Sequence, residues 1–85
     1  MKTLYILNNP KLFDQCRSAM SENDAMLLIE NAVIVSRQLP AIEHGFVLEE
    51  DLIARGLAQD TDWTKVSYKG FVELTLEYDK SVSWL

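Results

Sequence analysis

The fold of this chain is decided around one stretch, which reads Glu50-Asp51-Leu52-Ile53-Ala54-Arg55-Gly56-Leu57. The short apolar run Gly45–Leu48 comes just before it and is typical of a buried strand. The acidic residues that open the stretch suit the positive end of a helix dipole, and Arg55 suits the negative end. Gly56 stands where a helix would end in a left-handed conformation. The stretch therefore predicts a strand, a short helix and a glycine stop, which together form half of a βαβ unit.

The same alternation of strand and helix extends through the rest of the chain. Strands are predicted over residues 3–7, 25–29, 45–48, 63–68 and 81–85, and helices over 11–20, 32–39, 50–56 and 69–78. Strands that are apolar on both faces need cover on both faces, and parallel strands need crossover helices. The sequence thus predicts an α/β fold: a three-layer sandwich around a small, mainly parallel five-stranded sheet, with residues 1–85 forming one domain.

Composition and charge exclude several classes of protein. A chain of 85 residues buries only about 60–65% of its unfolded surface. Its hydrophobic content of 48% is high for that size and is typical of a domain that packs against another subunit. The net charge of −5 argues against direct contact with nucleic acid. No apolar run is long enough for a membrane span or a signal peptide, so we expect a soluble cytoplasmic protein.

Few residues are suited to chemistry. One histidine and one cysteine cannot form a zinc site, and the three glycines lie too far apart for a phosphate-binding loop, so no metal or cofactor is expected. The acids Glu49–Asp51 are interpreted as a solvated helix start. Arg55 is explained by its place at the end of a helix, but it is also a candidate contact for an anion or for a carboxylate of a partner.

Cys16 is the only candidate catalytic residue, and two interpretations of it are open. It falls on an apolar helix stripe with Leu12, Ala19 and Met20, and free cysteines are among the most buried residues. Alternatively, its thiol accepts or passes sulfur as a persulfide, which requires an accessible thiolate with a lowered pKa. The accessibility of the thiol distinguishes the two interpretations.

Trp84 is a candidate interface residue. Most aromatic residues of the chain lie in its last third, where they can fill the core or anchor a partner. A tryptophan beside the C-terminus of so short a chain has little core of its own to enter. We therefore predict that Trp84 anchors a subunit interface.

Segments along nearly the whole chain, in order, resemble the DsrH/TusB family. The most specific is Glu50–Leu57. The others are residues 1–5 with Asn9 and Pro10, residues 21–33, residues 66–75 and the terminal residues 83–85. Each segment is a weak signal alone, whereas the ordered set is specific.

The resemblance implies a DsrEFH-like three-layer domain and a place in cytoplasmic sulfur relay. Proteins of this family are the smallest of three related subunits in the DsrEFH and TusBCD complexes, which relay persulfide sulfur. The resemblance implies an accessory, non-catalytic subunit in a heterohexamer with two copies each of the B-, C- and D-type (H-, F- and E-type) subunits. In the TusBCD version the sulfur serves 2-thiolation of the wobble uridine of tRNA.

Two alternatives stay open at this point. Cys16 matches a cysteine of DsrH-type members, which implies a persulfide carrier in sulfur oxidation. The chain could also be a self-associating α/β module of unrelated role. This alternative predicts a homo-oligomer in isolation that does not bind the C- and D-type subunits.

Overall fold

The computed structural model describes residues 1–57 and 60–84, which form one parallel sheet with helices on both faces. The strands are β1 (Thr3–Leu7), β2 (Ala25–Leu28), β3 (Gly45–Leu48), β4 (Thr64–Val66) and β5 (Lys80–Trp84). The α-helices are α1 (Phe13–Ala19), α2 (Val35–Gln38), α3 (Glu49–Ala54) and α4 (Tyr68–Glu77). Short 3₁₀ turns at Pro10–Leu12 and Glu30–Ile34 lead into α1 and α2. The predicted α/β fold is confirmed.

The strand order β4-β3-β2-β1-β5 determines where the helices lie. All four strand pairs are parallel. From β1 to β4 the chain steps outward one strand at a time, so right-handed crossovers place α1, α2 and α3 on the same face. The last crossover returns across the whole sheet to set β5 beside β1, and this reversal places α4 on the opposite face. The result is the predicted three-layer sandwich with unequal outer layers.

The face covered by three helices holds the larger core cluster. From the sheet it takes Leu7, Met26, Leu28 and Val47, and from the covering segments it takes Cys16, Ala32, Val33, Val35, Leu52 and Trp63. All of these side chains are at most 2% exposed. This face is therefore sealed from solvent along its centre.

The opposite face has a smaller core because α4 alone covers it. Leu74 of α4 and Tyr78, which follows the helix directly, pack on the sheet residues Leu4, Ile6, Ala25 and Leu27. Hydrophobic residues near the margins of the helix are only partly buried, namely Ile29, Phe46, Val66 and Phe71. One helix of ten residues is too narrow to seal five strands.

Element boundaries differ from the prediction where side chains compete with the backbone. The helix predicted over 32–39 is divided into the Glu30–Ile34 turn and α2. The fourth strand is shorter than predicted, because the Ser67 hydroxyl accepts a hydrogen bond from the Gly70 N–H at 3.2 Å and begins α4. Tyr68 therefore lies in the helix rather than in the strand. Leu85, in the predicted last strand, lies outside the described residues.

Trp63 joins the loop before β4 to the core. Its side chain is 2% exposed, and its ring meets the ring of Phe13 edge-on with centroids 6.4 Å apart. The indole N–H donates a hydrogen bond to the Leu39 carbonyl at 3.2 Å. A methyl group added at Gly45 would lie 2.7 Å from Cε3 of Trp63, which is closer than carbon atoms approach. Glycine at the start of β3 is therefore required by the position of this indole.

We predict that Gly45→Ala destabilises the fold by about 1–3 kcal/mol, because the added methyl overpacks the core against Trp63. Chemical denaturation measures the change in the free energy of unfolding. In a Trp63→Leu background, which is itself destabilised, the added cost of Gly45→Ala should shrink, since the ring atoms that clash are gone. An equal cost in both backgrounds would mean that the strand backbone, not the indole, demands glycine.

Candidate functional site

The carboxyl ends of β1, β2 and β3 form the candidate site, because open α/β sheets bind their ligands at this edge. The loops after β1 and β2 line an open hollow of about 390 Å³. Its walls are Asn8, Asn9, Pro10, Glu30 and Asn31. The walls are polar side chains around one proline, which suits recognition of a polar group or a protein surface.

The stretch 50–57 lies beside this hollow and is held by hydrogen bonds and by packing on the core. Helix α3 ends with two hydrogen bonds: the Leu57 N–H donates to the Leu52 carbonyl at 2.8 Å, and the Gly56 N–H donates to the Ile53 carbonyl at 3.1 Å. Gly56 has a φ of 67°, the left-handed value that this helix ending requires. Leu52 and Leu57 both contact the same core cluster. The glycine stop predicted from the sequence is confirmed.

Asp51 links α3 to the loop after β2. One carboxylate oxygen accepts a hydrogen bond from the Glu30 N–H at 2.6 Å, and the other lies 3.8 Å from the Arg55 guanidinium. Glu30 has a backbone φ of 50°, which residues other than glycine and asparagine seldom adopt. Because the Glu30 N–H points at a fixed acceptor, Asp51 helps to hold this strained residue in place.

Glu50 links α3 to the beginning of α4. Its Oε2 accepts a hydrogen bond from the Tyr68 N–H at 3.3 Å. A carboxylate at this place is also stabilised by the positive end of the α4 dipole. The interpretation of the three acids as a solvated helix start is confirmed for the exposed Glu49 and is wrong for Glu50 and Asp51, which are partly buried. The sequence contained no signal for these contacts, because both partners are distant along the chain.

Arg55 lies at the rim of the same site. Its Nε donates a hydrogen bond to Oδ1 of Asn31 at 3.2 Å, and its side chain is 34% exposed. The guanidinium therefore contacts the loop after β2 and still faces solvent. Its predicted contact with a partner stays a prediction.

Cys16 lies far inside the fold. Its side chain is 0% exposed in the larger core cluster, and burial raises the pKa of the thiol to about 11. A buried, protonated thiol fits the interpretation of Cys16 as a core residue. The persulfide role stays a prediction, and it requires that the helix layer open to admit a sulfur donor.

Trp84 lies on the edge strand β5 and is partly buried. Its ring meets the ring of Tyr5 edge-on, with centroids 5.9 Å apart and an interplanar angle of 67°. Part of the indole thus belongs to the core of this chain while the rest is exposed at the sheet edge. Its predicted role as an interface anchor stays a prediction.

Within residues 1–57 and 60–84, no three His, Cys, Asp or Glu side chains come together as a metal site. Within the same ranges, no helix has the length and apolar character that crossing a bilayer requires.

We predict that Asp51→Ala lowers the free energy of unfolding by about 1–2 kcal/mol, because it removes the charge-assisted hydrogen bond to the Glu30 N–H. Arg55→Ala is the matched control, and it should cost less than about 1 kcal/mol because exposed ion pairs contribute little. Urea denaturation of the two variants checks the difference. Equal losses would show that the contacts of Arg55 with Asp51 and Asn31, and not the Glu30 amide contact, stabilise the loop.

We predict that Cys16 reacts with a disulfide reagent at least about 100-fold more slowly than an exposed thiol, since at pH 7 a pKa of about 11 leaves about one thiol in 10⁴ ionised. Ile53→Cys in a Cys16→Ala background supplies the exposed control, because Ile53 is 60% exposed. Reaction of the native Cys16 at the control rate would contradict its burial.

The raised pKa of Cys16 also predicts a pH dependence. A thiol whose pKa is higher in the folded chain contributes stability below its ordinary pKa of 9.0, and this contribution is lost as the pH rises towards about 11. Burial also raises the pKa of Tyr5 and Tyr78, so part of the decline remains without the thiol. The free energy of unfolding should therefore fall less steeply between pH 9 and 11 in Cys16→Ala than in the unmodified chain.

Comparison with known proteins places this architecture in a family. The family model described as DsrH like protein matches residues 9–81. Protein TusB of Yersinia pestis (strain Pestoides F) is 36% identical, over 80% of this chain and 81% of the relative. Protein TusB of Yersinia pseudotuberculosis serotype O:1b (strain IP 31758) gives the same values. The chain therefore belongs to the DsrH/TusB family.

Proposed function

We propose that this chain is an accessory, architectural subunit of a TusBCD/DsrEFH-type complex that relays persulfide sulfur in the cytoplasm. In this proposal the whole chain, residues 1–85, acts as one domain. It assembles with C- and D-type subunits into a heterohexamer with two copies of each. The observation that supports the proposal most directly is the family match over residues 9–81.

The state of Cys16 supports an architectural role over a carrier role. A sulfur carrier presents its thiolate to a donor protein, and such thiolates have lowered pKa values and partial exposure. Cys16 has a raised pKa and 0% exposure. The catalytic cysteine of the relay then belongs to a different subunit, and this chain contributes surface and stability.

The relatives support a Tus-type pathway. The relatives that are 36% identical over most of their length have the name TusB. We infer that the relayed sulfur serves 2-thiolation of the wobble uridine of tRNA. The net charge of −5 favours a subunit that does not bind the tRNA itself, since phosphates attract basic surfaces.

Co-expression with the C- and D-type proteins of the same organism tests the proposal. We expect all three to co-purify, and native mass spectrometry should give a mass equal to two copies of each. Loss of this chain should reduce thiolation of the wobble uridine, which mass spectrometry of tRNA nucleosides measures. The proposal would be contradicted if the chain bound neither the C-type nor the D-type protein. It would also be contradicted if cells that lack the chain kept full thiolation of the wobble uridine.

We predict that Trp84→Ala weakens this assembly by at least about tenfold in the dissociation constant, because buried tryptophans at interfaces commonly contribute 2 kcal/mol or more. Trp84→Phe is the control, since it keeps an aromatic ring against Tyr5. Thermal unfolding of each isolated variant separates the two roles of the indole. If Trp84→Ala unfolds the isolated chain and leaves assembly of the folded fraction unchanged, Trp84 is a core residue only.

A further inference from the structure

The hollow between the loops after β1 and β2 is lined by asparagine amides, two of which are oriented by the chain itself. Oδ1 of Asn9 accepts a hydrogen bond from the Lys11 N–H at 3.0 Å, and Oδ1 of Asn31 accepts one from Nε of Arg55 at 3.2 Å. Lys11 N–H and the guanidinium can only donate, so the oxygen of each amide must face its partner. The end of each amide that is left for a ligand is therefore its N–H2 group.

These two amides make the hollow a donor of hydrogen bonds. Within residues 1–57 and 60–84, neither N–H2 group donates to a protein acceptor. Asn9 and Asn31 follow two strands that are neighbours in the sheet, so their amides line the same hollow from two loops. A ligand that enters the hollow must therefore carry a hydrogen-bond acceptor.

The charges around the hollow favour a neutral acceptor over an anion. Glu30 is the one charged residue in its walls, and the chain as a whole carries a net charge of −5. The Arg55 guanidinium, which holds Asn31, already lies 3.8 Å from the Asp51 carboxylate. A carboxylate or a phosphate would thus enter a negative environment. The peptide carbonyl is a strong acceptor without charge.

The shape of the hollow favours a segment of protein over a small molecule. Small molecules bind in pockets that enclose them and that have mostly apolar walls. This hollow of about 390 Å³ is open, and Pro10 is the one apolar residue in its walls. A main-chain segment carries peptide N–H groups beside its carbonyls, and the Glu30 carboxylate supplies an acceptor for them.

We propose that this hollow binds the main chain of a loop of a partner subunit. The N–H2 groups of Asn9 and Asn31 donate to a peptide carbonyl of the loop, and the Glu30 carboxylate accepts from a nearby peptide N–H. The inference rests on the proposed function, because the loop belongs to the C- or D-type subunit. It adds the place on this chain at which the main chain of the partner is recognised.

Asn9→Asp and Asn31→Asp remove the two donors one at a time. Each change keeps the oxygen that faces Lys11 or Arg55 and replaces the N–H2 group by a second oxygen. Aspartate caps a helix as well as asparagine does, and a carboxylate at position 31 gains an opposite charge beside Arg55. Both isolated variants should therefore fold, which thermal unfolding checks.

Each variant should raise the dissociation constant for the C- and D-type proteins by at least about tenfold, because a carboxylate oxygen then opposes the peptide carbonyl. Gln38→Glu is the matched control. It adds the same charge at an exposed position of α2 that does not line the hollow, so it should bind as tightly as the unmodified chain. Biolayer interferometry on the immobilised C- and D-type proteins measures all four constants.

The sign of the change distinguishes the outcomes. Unchanged affinity in both aspartate variants would overturn the inference and leave the proposed function intact, because the complex would then form through another surface. Tighter binding would also overturn it, since an added carboxylate favours a donor or a cation as the ligand. An equal loss in Gln38→Glu would assign the effect to net charge. If the unmodified chain bound neither protein, the proposed function would fail and this inference would fail with it.

Discussion

The right-handedness of parallel crossovers is the constraint on which the rest of this structure depends. Three crossovers in one direction place three short helices on one face of the sheet. The single return from β4 to β5 leaves α4 alone on the other face. Within residues 1–57 and 60–84, α4 is the one helix on that face. The sealed face and the partly open face are thus consequences of strand order.

The two faces differ in what they allow chemically. On the sealed face a thiol such as Cys16 loses water on all sides, so its neutral form is favoured and its nucleophilicity falls. Several polar contacts lie instead at the carboxyl edge of the sheet. There the carboxylates of Glu50 and Asp51 bind backbone N–H groups of Tyr68 and Glu30. The stretch Glu50–Leu57 is therefore a connector that holds the loop after β2 and the start of α4.

Local patterns predicted those parts of the molecule that local forces determine. The apolar runs identified the strands, and Gly56 identified the end of α3, because a left-handed residue is a property of a few neighbouring peptides. The prediction erred where a distant group intervened. The sequence pattern places Trp63 in a strand, but its side chain turns into the core, where its N–H donates to the Leu39 carbonyl. The pattern also predicts solvated side chains for Glu50 and Asp51, because their backbone partners are 18 and 21 residues away.

The sequence by itself determined the α/β class, the parallel sheet and the family, since these depend on hydrophobic periodicity, turn residues and an ordered set of short segments. Only the tertiary structure decided which face each helix covers, how deeply Cys16 is buried and which apolar residues of α4 stay exposed. These properties depend on strand order, and strand order is a relation between segments far apart in the chain. Periodicity shows that α4 has an apolar side. It does not show that the sheet contacts only part of that side and leaves the rest exposed.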